Sequence, residues 1–342
     1  MRWDAAIDFG TENVHLAIHR QGIVLEEANA LAIRDGSDAL VCCGNFARQL
    51  QGRACQGMSV QYPLRDGALE NNQLAERMLR WLLRKAGLAE KRRKPNLLIS
   101  CAPFTRPVQR EALMTAALNA GAGAVALVRS DAAQAAGAGL DLLAPEARLL
   151  VDIGGGKLTA TLFTLGRIAA FGYLPYGFNR IDTRIQQAVR MSSGFRIGLQ
   201  AAEEIKRTLG SALPRTAPTD VIMHMTGFSI FDRLPGRFDV ETAPVLEACE
   251  DVVRELTTLC GSVVDGAPEE LSADLNDSGA MLAGAGAELT GLDKRIGDAL
   301  GIPCRVADVP STCGIRGLIK ILDDPEAYEA AILDRQPAGA WR

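Results

Sequence analysis

Several absences narrow the reading before any motif is considered. No run of about 18 apolar residues occurs, so no membrane-crossing helix is expected. The eight cysteines form no CxxC pair, and His15, His19 and His224 do not cluster with them, which excludes a zinc site of ordinary spacing. Such scattered thiols read as small buried hydrophobes. Basic residues give no surplus: 37 Lys and Arg stand against 41 Asp and Glu, a formal charge of −4, so no nucleic-acid partner is expected. The opening Met1-Arg2-Trp3-Asp4 shows none of the three regions of a secretory signal, and a cytoplasmic chain is expected.

What is present is a 342-residue chain, 48% apolar and 23% charged, long enough for two domains. Short apolar runs alternate with helix-period segments, the mark of an α/β fold. Ala5–Phe9, Val14–Ile18 and Gly22–Leu25 read as a three-stranded meander. Leu69–Lys85 reads as an amphipathic helix, Asn96–Cys101 as a strand, Val108–Ala120 as a helix, Gly123–Val128 as a strand and Ala132–Leu140 as an alanine-rich helix. Arg148–Ile153, Thr159–Phe163 and Arg167–Tyr173 then repeat the meander, about 145 residues after the first, which suggests two like-folded halves. Beyond it come helices near 180–191 and 199–209, a polar stretch at 214–240, a long helix at 242–264, a strand Gly279–Ala283, and helices Ala287–Leu300 and Thr312–Leu322. Gln336–Arg342 reads as a frayed tail.

Three constellations carry chemistry. Asp8-Phe9-Gly10-Thr11-Glu12-Asn13 ends a strand in a turn whose backbone N–H groups can face an anion, with Asp8 placed to hold a water on Mg²⁺. Asp152-Ile153-Gly154-Gly155-Gly156-Lys157 ends the corresponding strand of the second half; three successive glycines there suit either a phosphate turn or a flexible surface turn. Gly279–Leu289 passes through Gly284-Ala285-Gly286, either a nucleotide-binding turn or tight strand–helix packing.

The order of these three turns resembles the actin-like ATPases, and within them the bacterial MreB family, over roughly residues 4–323. Further marks are Pro63-Leu64-Arg65-Asp66-Gly67, Gly137-Ala138-Gly139-Leu140, Gly177 with Arg180 and Asp182, Ala202-Glu203 with Ile205-Lys206, and Gly301-Ile302-Pro303. The resemblance implies an actin-like, duplicated ribonuclease H-like fold, in which two lobes, each with a large and a small subdomain, flank a nucleotide cleft. The first lobe would span 1–143 with its small subdomain near 32–63, and the second 144–310 with its small subdomain near 182–245. Residues 311–335 would return as a helix to the first lobe, leaving 336–342 as a tail. By the same resemblance Gly10, Thr11, Glu12, Asn13, Gly154, Gly155, Gly156 and Lys157 would hold the phosphates of ATP or ADP. Glu203, Lys206, Gly284, Ala285 and Gly286 would hold the adenosine, and Asp8 and Asp152 would hold Mg²⁺ through water.

The departures from the family bear on hydrolysis. Where the family reads Leu-Ile-Glu-Glu-Pro, with a glutamate that positions the attacking water, this chain has Leu127-Val128-Arg129-Ser130-Asp131. Where it reads Thr-Thr-Glu after the glycines, this chain has Lys157-Leu158-Thr159. Slow or absent hydrolysis is therefore expected, with Asp131 as the one substitute within reach. Lys157 adds positive charge beside the phosphates, helping to hold ATP or replacing part of the metal's role. Ala285 and Phe178-Asn179 replace family glycine and Gly-Asp positions and could crowd the adenosine.

The resemblance further implies a homopolymeric filament, work in cell shape alongside cell-wall synthesis proteins, and a place at the inner membrane surface. Contact with that surface would fall near Leu88–Lys94, where Leu88 reads as an exposed apolar residue before four successive cations; a solvated basic loop is the alternative. Two other roles stay open: an active ATPase whose turnover drives filament dynamics, and a membrane adaptor of the FtsA or PilM type.

Overall fold

The computed structural model describes residues 2–53, 56–90, 93–213 and 222–337. Its frame is two sheets with one topology. In the first, Ala5–Phe9 pairs antiparallel with Asn13–Ile18, which pairs with Gly22–Ala28. On its other side Ala5–Phe9 lies parallel to Asn96–Cys101, and that strand lies parallel to Ala124–Arg129. In the second, Arg148–Ile153 pairs antiparallel with Leu158–Thr164 and then Arg167–Leu174, and lies parallel to Ala280–Ala283 and then Cys304–Val306. Each sheet thus runs third, second, first, fourth, fifth in chain order. Tight turns suffice for the antiparallel meander, whereas parallel neighbours need crossovers. Helices Asn72–Lys85 and Pro107–Ala120 supply them in the first half. This is the duplicated ribonuclease H-like arrangement.

Two smaller three-stranded sheets interrupt the frame. Leu31–Arg34 lies between Ala39–Cys43 and Met58–Gln61, and Met223–Ser229 lies between Phe195–Arg196 and Pro235–Val240.

The two large sheets share a core layer. Leu98, Ala126 and Val128 from the first and Leu150, Phe163 and Ala283 from the second pack with Ala132, Ala133, Ile315 and Leu318 of two intervening helices, Ser130–Gly137 and Cys313–Asp323. Alanine and glycine let these helices touch at the backbone. A Cβ on Gly317 would lie 1.7 Å from the Ala133 carbonyl oxygen, and one on Gly137 would lie 1.8 Å from that of Cys313.

The helical segments largely follow the sequence pattern, and the differences have local causes. Helix Asn72–Lys85 starts three residues later than its apolar periodicity suggests. Ala68–Leu69 pairs with Leu64–Arg65 instead, and the Asn71 side chain accepts from the backbone of Gln73 and Leu74 at 3.0 and 3.1 Å. Ala287–Leu300 is not one helix. It is a 3₁₀ turn, Ala285–Glu288, and a helix, Leu292–Leu300, separated by Gly291 at φ 72°. The polar stretch 214–240 holds a hairpin of alternating exposure, Met223–Ser229 with Pro235–Val240; residues 214–221 lie outside the described residues. A helix at Glu269–Ser278 goes unread in the sequence.

Gln336 is not part of a frayed tail: Ile332–Pro337 adds an antiparallel strand beside Ala124–Arg129, and 338–342 lie outside the described residues. Leu88 is not exposed either. It is fully buried in the first-sheet core with Leu82 and Leu83. The seven described cysteines are free and none is exposed, and burial pushes the thiols of Cys43, Cys260 and Cys304 up to about 12.

The helix contact yields the first prediction. Gly317→Ala forces a Cβ into a backbone oxygen and should destabilise the fold by about 3 kcal/mol or more. Gly261→Ala, with no atom nearer than 4.0 Å to the added carbon, should stabilise helix Thr242–Asp265 by up to about 1 kcal/mol. Urea denaturation of both variants checks the contrast; equal effects would contradict it.

Candidate functional site

The strand-end turns of the two sheets meet face to face. A Cβ on Gly155 would lie 2.6 Å from Glu12 Cγ, and one on Gly156 would lie 2.6 Å from Thr11 Cγ2. Neither glycine adopts positive φ, so the requirement there is close approach and not an unusual backbone. The second turn is braced from behind, where Phe178 and Asn179 donate their backbone N–H groups to the carbonyls of Gly154 and Gly155 at 3.0 Å each. Asn179 Nδ2 also donates to Glu12 Oε1, tying one turn to the other. On the first turn Asn29 Nδ2 donates to the Gly10 carbonyl at 2.7 Å, and the Gly67 N–H donates to Thr11 Oγ1 at 3.1 Å.

These turns form the floor of a cleft of about 1090 Å³. All residues expected to hold phosphate, adenosine or metal line it: Gly10 to Asn13, Gly154 to Lys157, Glu203, Lys206, Gly284 to Gly286, Asp8 and Asp152. Asp131 does not. Its carboxylate is fully buried, receives Arg129 Nε and Nη2 at 3.1 and 3.0 Å, and accepts the Ala132 N–H at 2.8 Å. The expectation that Asp131 substitutes for the missing glutamate is therefore corrected: the departure at Arg129 supplies the partner that turns this carboxylate away from the cleft.

Several charged groups on the cleft floor have close partners. Asp8 Oδ1 accepts from Ser100 Oγ at 2.6 Å. Asp152 is 2% exposed and lies 3.4 Å from Lys157 Nζ, which also donates to Ser130 Oγ at 2.7 Å. Burial pushes the Asp152 carboxyl up, the Lys157 ammonium pulls it back, and the Asp8 carboxylate adds to the rise. Lys206 Nζ lies 2.7 Å from Asp182 Oδ1 and donates to the Phe178 carbonyl at 3.2 Å. Burial raises the Asp182 carboxyl to about 6 against that ammonium. The Phe178 ring is buried in the second-sheet core and lies against Gly286, where a Cβ would sit 2.8 Å from its Cδ2. Ala285 is exposed to the cleft.

The rim is closed by a clasp between the small sheets' neighbours. Arg48 Nη2 donates to Glu203 Oε2 at 2.7 Å, Arg48 Nη1 reaches Asn13 Oδ1 at 3.3 Å, and Gln200 Nε2 donates to the Arg48 carbonyl at 2.7 Å. Burial acts to raise the Glu203 carboxyl, but Arg48, aided by Arg207 and Lys206, outweighs it and holds Glu203 below the ordinary range.

Arg48, Ser100, Gln134 and Gln200 escape the sequence reading. Arg48 and Glu203 are 155 positions apart, and no spacing rule connects them. Gln134 lines the cleft one turn along the helix from Ser130, and its buried Oε1 has no hydrogen-bond partner. Its one sequence signal is a lone polar residue among alanines.

Comparison with known proteins places this geometry. The family model described as MreB/Mbl protein matches residues 2–330. This chain belongs to the MreB/Mbl family. It is 31% identical to the cell shape-determining protein MreB of Escherichia coli K12 over 325 residues, covering 94% of this chain and 93% of that one. It is 29% identical to the cell shape-determining protein Mbl of Bacillus subtilis over 321 residues, 94% and 96% of the two chains. In fold it is similar to MreB5 of Spiroplasma citri bound to ADP, with a TM-score of 0.89 at 24% identity over 96% and 98% of the chains. It is also similar to the MamK double helical filament, with a TM-score of 0.80 at 18% identity over 95% and 99%. The actin-like fold is thereby established for this MreB/Mbl chain.

The clasp generates a pH-dependent prediction. Because Glu203 titrates lower when folded than unfolded, its contribution is complete above the unfolded value of 4.5 and is lost as pH falls through the depressed folded value. A double-mutant cycle of Arg48→Ala and Glu203→Ala, read by urea denaturation, should give a coupling of about 1 kcal/mol at neutral pH, since the pair is partly exposed. The coupling should shrink on acidification and not grow.

Proposed function

We propose that this chain is a filament-forming, cell-shape protein of the MreB type that binds ATP or ADP in the cleft and hydrolyses ATP weakly or not at all. The observation that carries the reading is the face-to-face pair of glycine turns. Two glycine turns, one from each large sheet, that meet at the floor of one cleft suit a polyphosphate gripped from both sides. On this reading Gly10 to Asn13 and Gly154 to Lys157 hold phosphate, and Glu203, Lys206 and Gly284 to Gly286 hold adenosine. The similar MreB5 of Spiroplasma citri is bound to ADP, which supports nucleotide as the ligand. The MamK filament and the cell-shape relatives support head-to-tail self-assembly and a role beside cell-wall synthesis.

The lobe division at 1–143 and 144–310 belongs to the same reading, supported by one large sheet in each. The return of the chain after 310 is supported by helix Cys313–Asp323 lying on Ser130–Gly137.

Weak hydrolysis follows from what faces the phosphates. The loss of a group that orients or activates a nucleophile costs about 10²–10⁴ in rate. No carboxylate replaces the family glutamate: Ser130 faces the cleft, and Asp131 is held by Arg129. Gln134 favours a second reading, an active ATPase, because its unpartnered amide oxygen lines the same cleft and could orient a water. A glutamine amide can orient an attacking water without itself accepting the proton.

A cytoplasmic place, at or near the membrane surface, completes the proposal. No helix among the described residues is long and apolar enough to cross a membrane. Attraction to anionic lipid would rest on cations alone, because Leu88 is buried. Arg93 is held by Asp4 at 2.6 Å, Lys94 is exposed, and Lys91 and Arg92 lie outside the described residues.

Titration with a fluorescent ADP should give saturable binding, and ATP should promote pelleting of the chain in a sedimentation assay. Phosphate release should run about 10²-fold or more below ordinary actin-family turnover. Ordinary turnover that survives Gln134→Ala would reject the weak-hydrolysis reading. Ordinary turnover abolished by Gln134→Ala would favour the second.

A further inference from the structure

Lys157 occupies a place with consequences for the metal. Its stem is pinned across the base of the cleft by the opposite lobe: a Cβ on Gly67 would lie 3.1, 3.2 and 3.3 Å from the Cδ, Cβ and Cγ of Lys157. Gly67 sits at φ 75° and is itself anchored by its N–H to Thr11 Oγ1. The ammonium is therefore held and not free to swing into solvent. It donates to Ser130 Oγ at 2.7 Å and lies 3.4 Å from Asp152 Oδ2, and its side chain is 16% exposed. An ammonium carries three donors. Two are taken by Ser130 and Asp152, and the third remains for a ligand in the cleft that Lys157 lines.

A divalent cation beside the phosphates would need the carboxylates of Asp8 and Asp152 to orient its waters. Of the two, Asp152 already faces the Lys157 ammonium at 3.4 Å, while Asp8 accepts one hydrogen bond from the Ser100 hydroxyl. A Mg²⁺ close to Asp152 would also face the fixed positive charge of Lys157. The residues present fit a polyphosphate, but they do not fit a polyphosphate with its usual metal.

We propose that Lys157 is a built-in counter-ion that takes the place of the divalent cation, so that this chain binds nucleotide without Mg²⁺. The inference rests on the nucleotide-binding reading above and extends it to the cation.

The test is titration of the full chain with fluorescent ADP in excess Mg²⁺ and in excess EDTA. Wild-type affinity should agree between the two buffers to within about threefold. Lys157→Met keeps the stem that packs on Gly67 and removes the charge. It should bind about tenfold or more weakly in EDTA than in Mg²⁺, the scale of one charge-assisted contact. Lys157→Thr, a second variant should the first fold poorly, should show the same new metal dependence. A tenfold loss for the wild type in EDTA, or variants as indifferent to Mg²⁺ as the wild type, would overturn the counter-ion role while leaving nucleotide binding intact. Absence of binding in both buffers would overturn the nucleotide reading and this inference with it.

Discussion

The structure depends on one steric condition: two strand-end turns from separate sheets must come within contact distance. Side chains at Gly155 and Gly156 would collide with Glu12 and Thr11, so the gap between the turns exists at its observed width only because those positions carry none. The same condition recurs behind the turns, where Gly177 lies against the carbonyls of Gly154 and Gly155 and a Cβ there would sit 2.3 Å from both oxygens. Conformational freedom is not the point at these sites. Bare backbone lets the two turns come into contact.

Electrostatics then decide what the narrow gap can hold. Four carboxylates at or beside the floor have partners: Ser100 for Asp8, Lys157 for Asp152, Arg129 for Asp131 and Lys206 for Asp182. The two ammonium groups offset Asp152 and Asp182, whereas Asp8 meets a neutral hydroxyl. Arg129 holds Asp131 outside the cleft, and Lys157 lies against Asp152 inside it.

Much of this was legible in the sequence because the informative signals were local. Buried strands ending in Asp-x-Gly, the second meander and the spacing between the two turns are patterns of neighbouring residues, and they led to the sheets and to the cleft floor. The reading failed where the determinant was distant or contextual. Arg48 and Glu203, on helices 155 positions apart in the chain, meet only in the tertiary structure. Leu88, next to charged residues, looked like a surface residue but closes the core beside Leu83. Ile332–Pro337 has little strand character of its own and becomes a strand because Ala124–Arg129 presents an open edge. Asp131 illustrates the same limit at the scale of one residue: Ser130 and Gln134 share the helix face that lines the cleft, and Asp131 lies off it, bound to Arg129.

The crossing of helices Ser130–Gly137 and Cys313–Asp323 bears on how the molecule can move. With backbone against backbone at Gly137 and Gly317, the helices can neither press closer nor part without opening a void in a layer shared by both large sheets. Such a joint behaves as an axle: it tolerates small rotation and resists translation. The buried joint therefore fixes the spacing of the two large sheets, while the partly exposed contacts of Arg48 with Glu203, Asn13 and Gln200 tie the cleft rim by polar side chains alone.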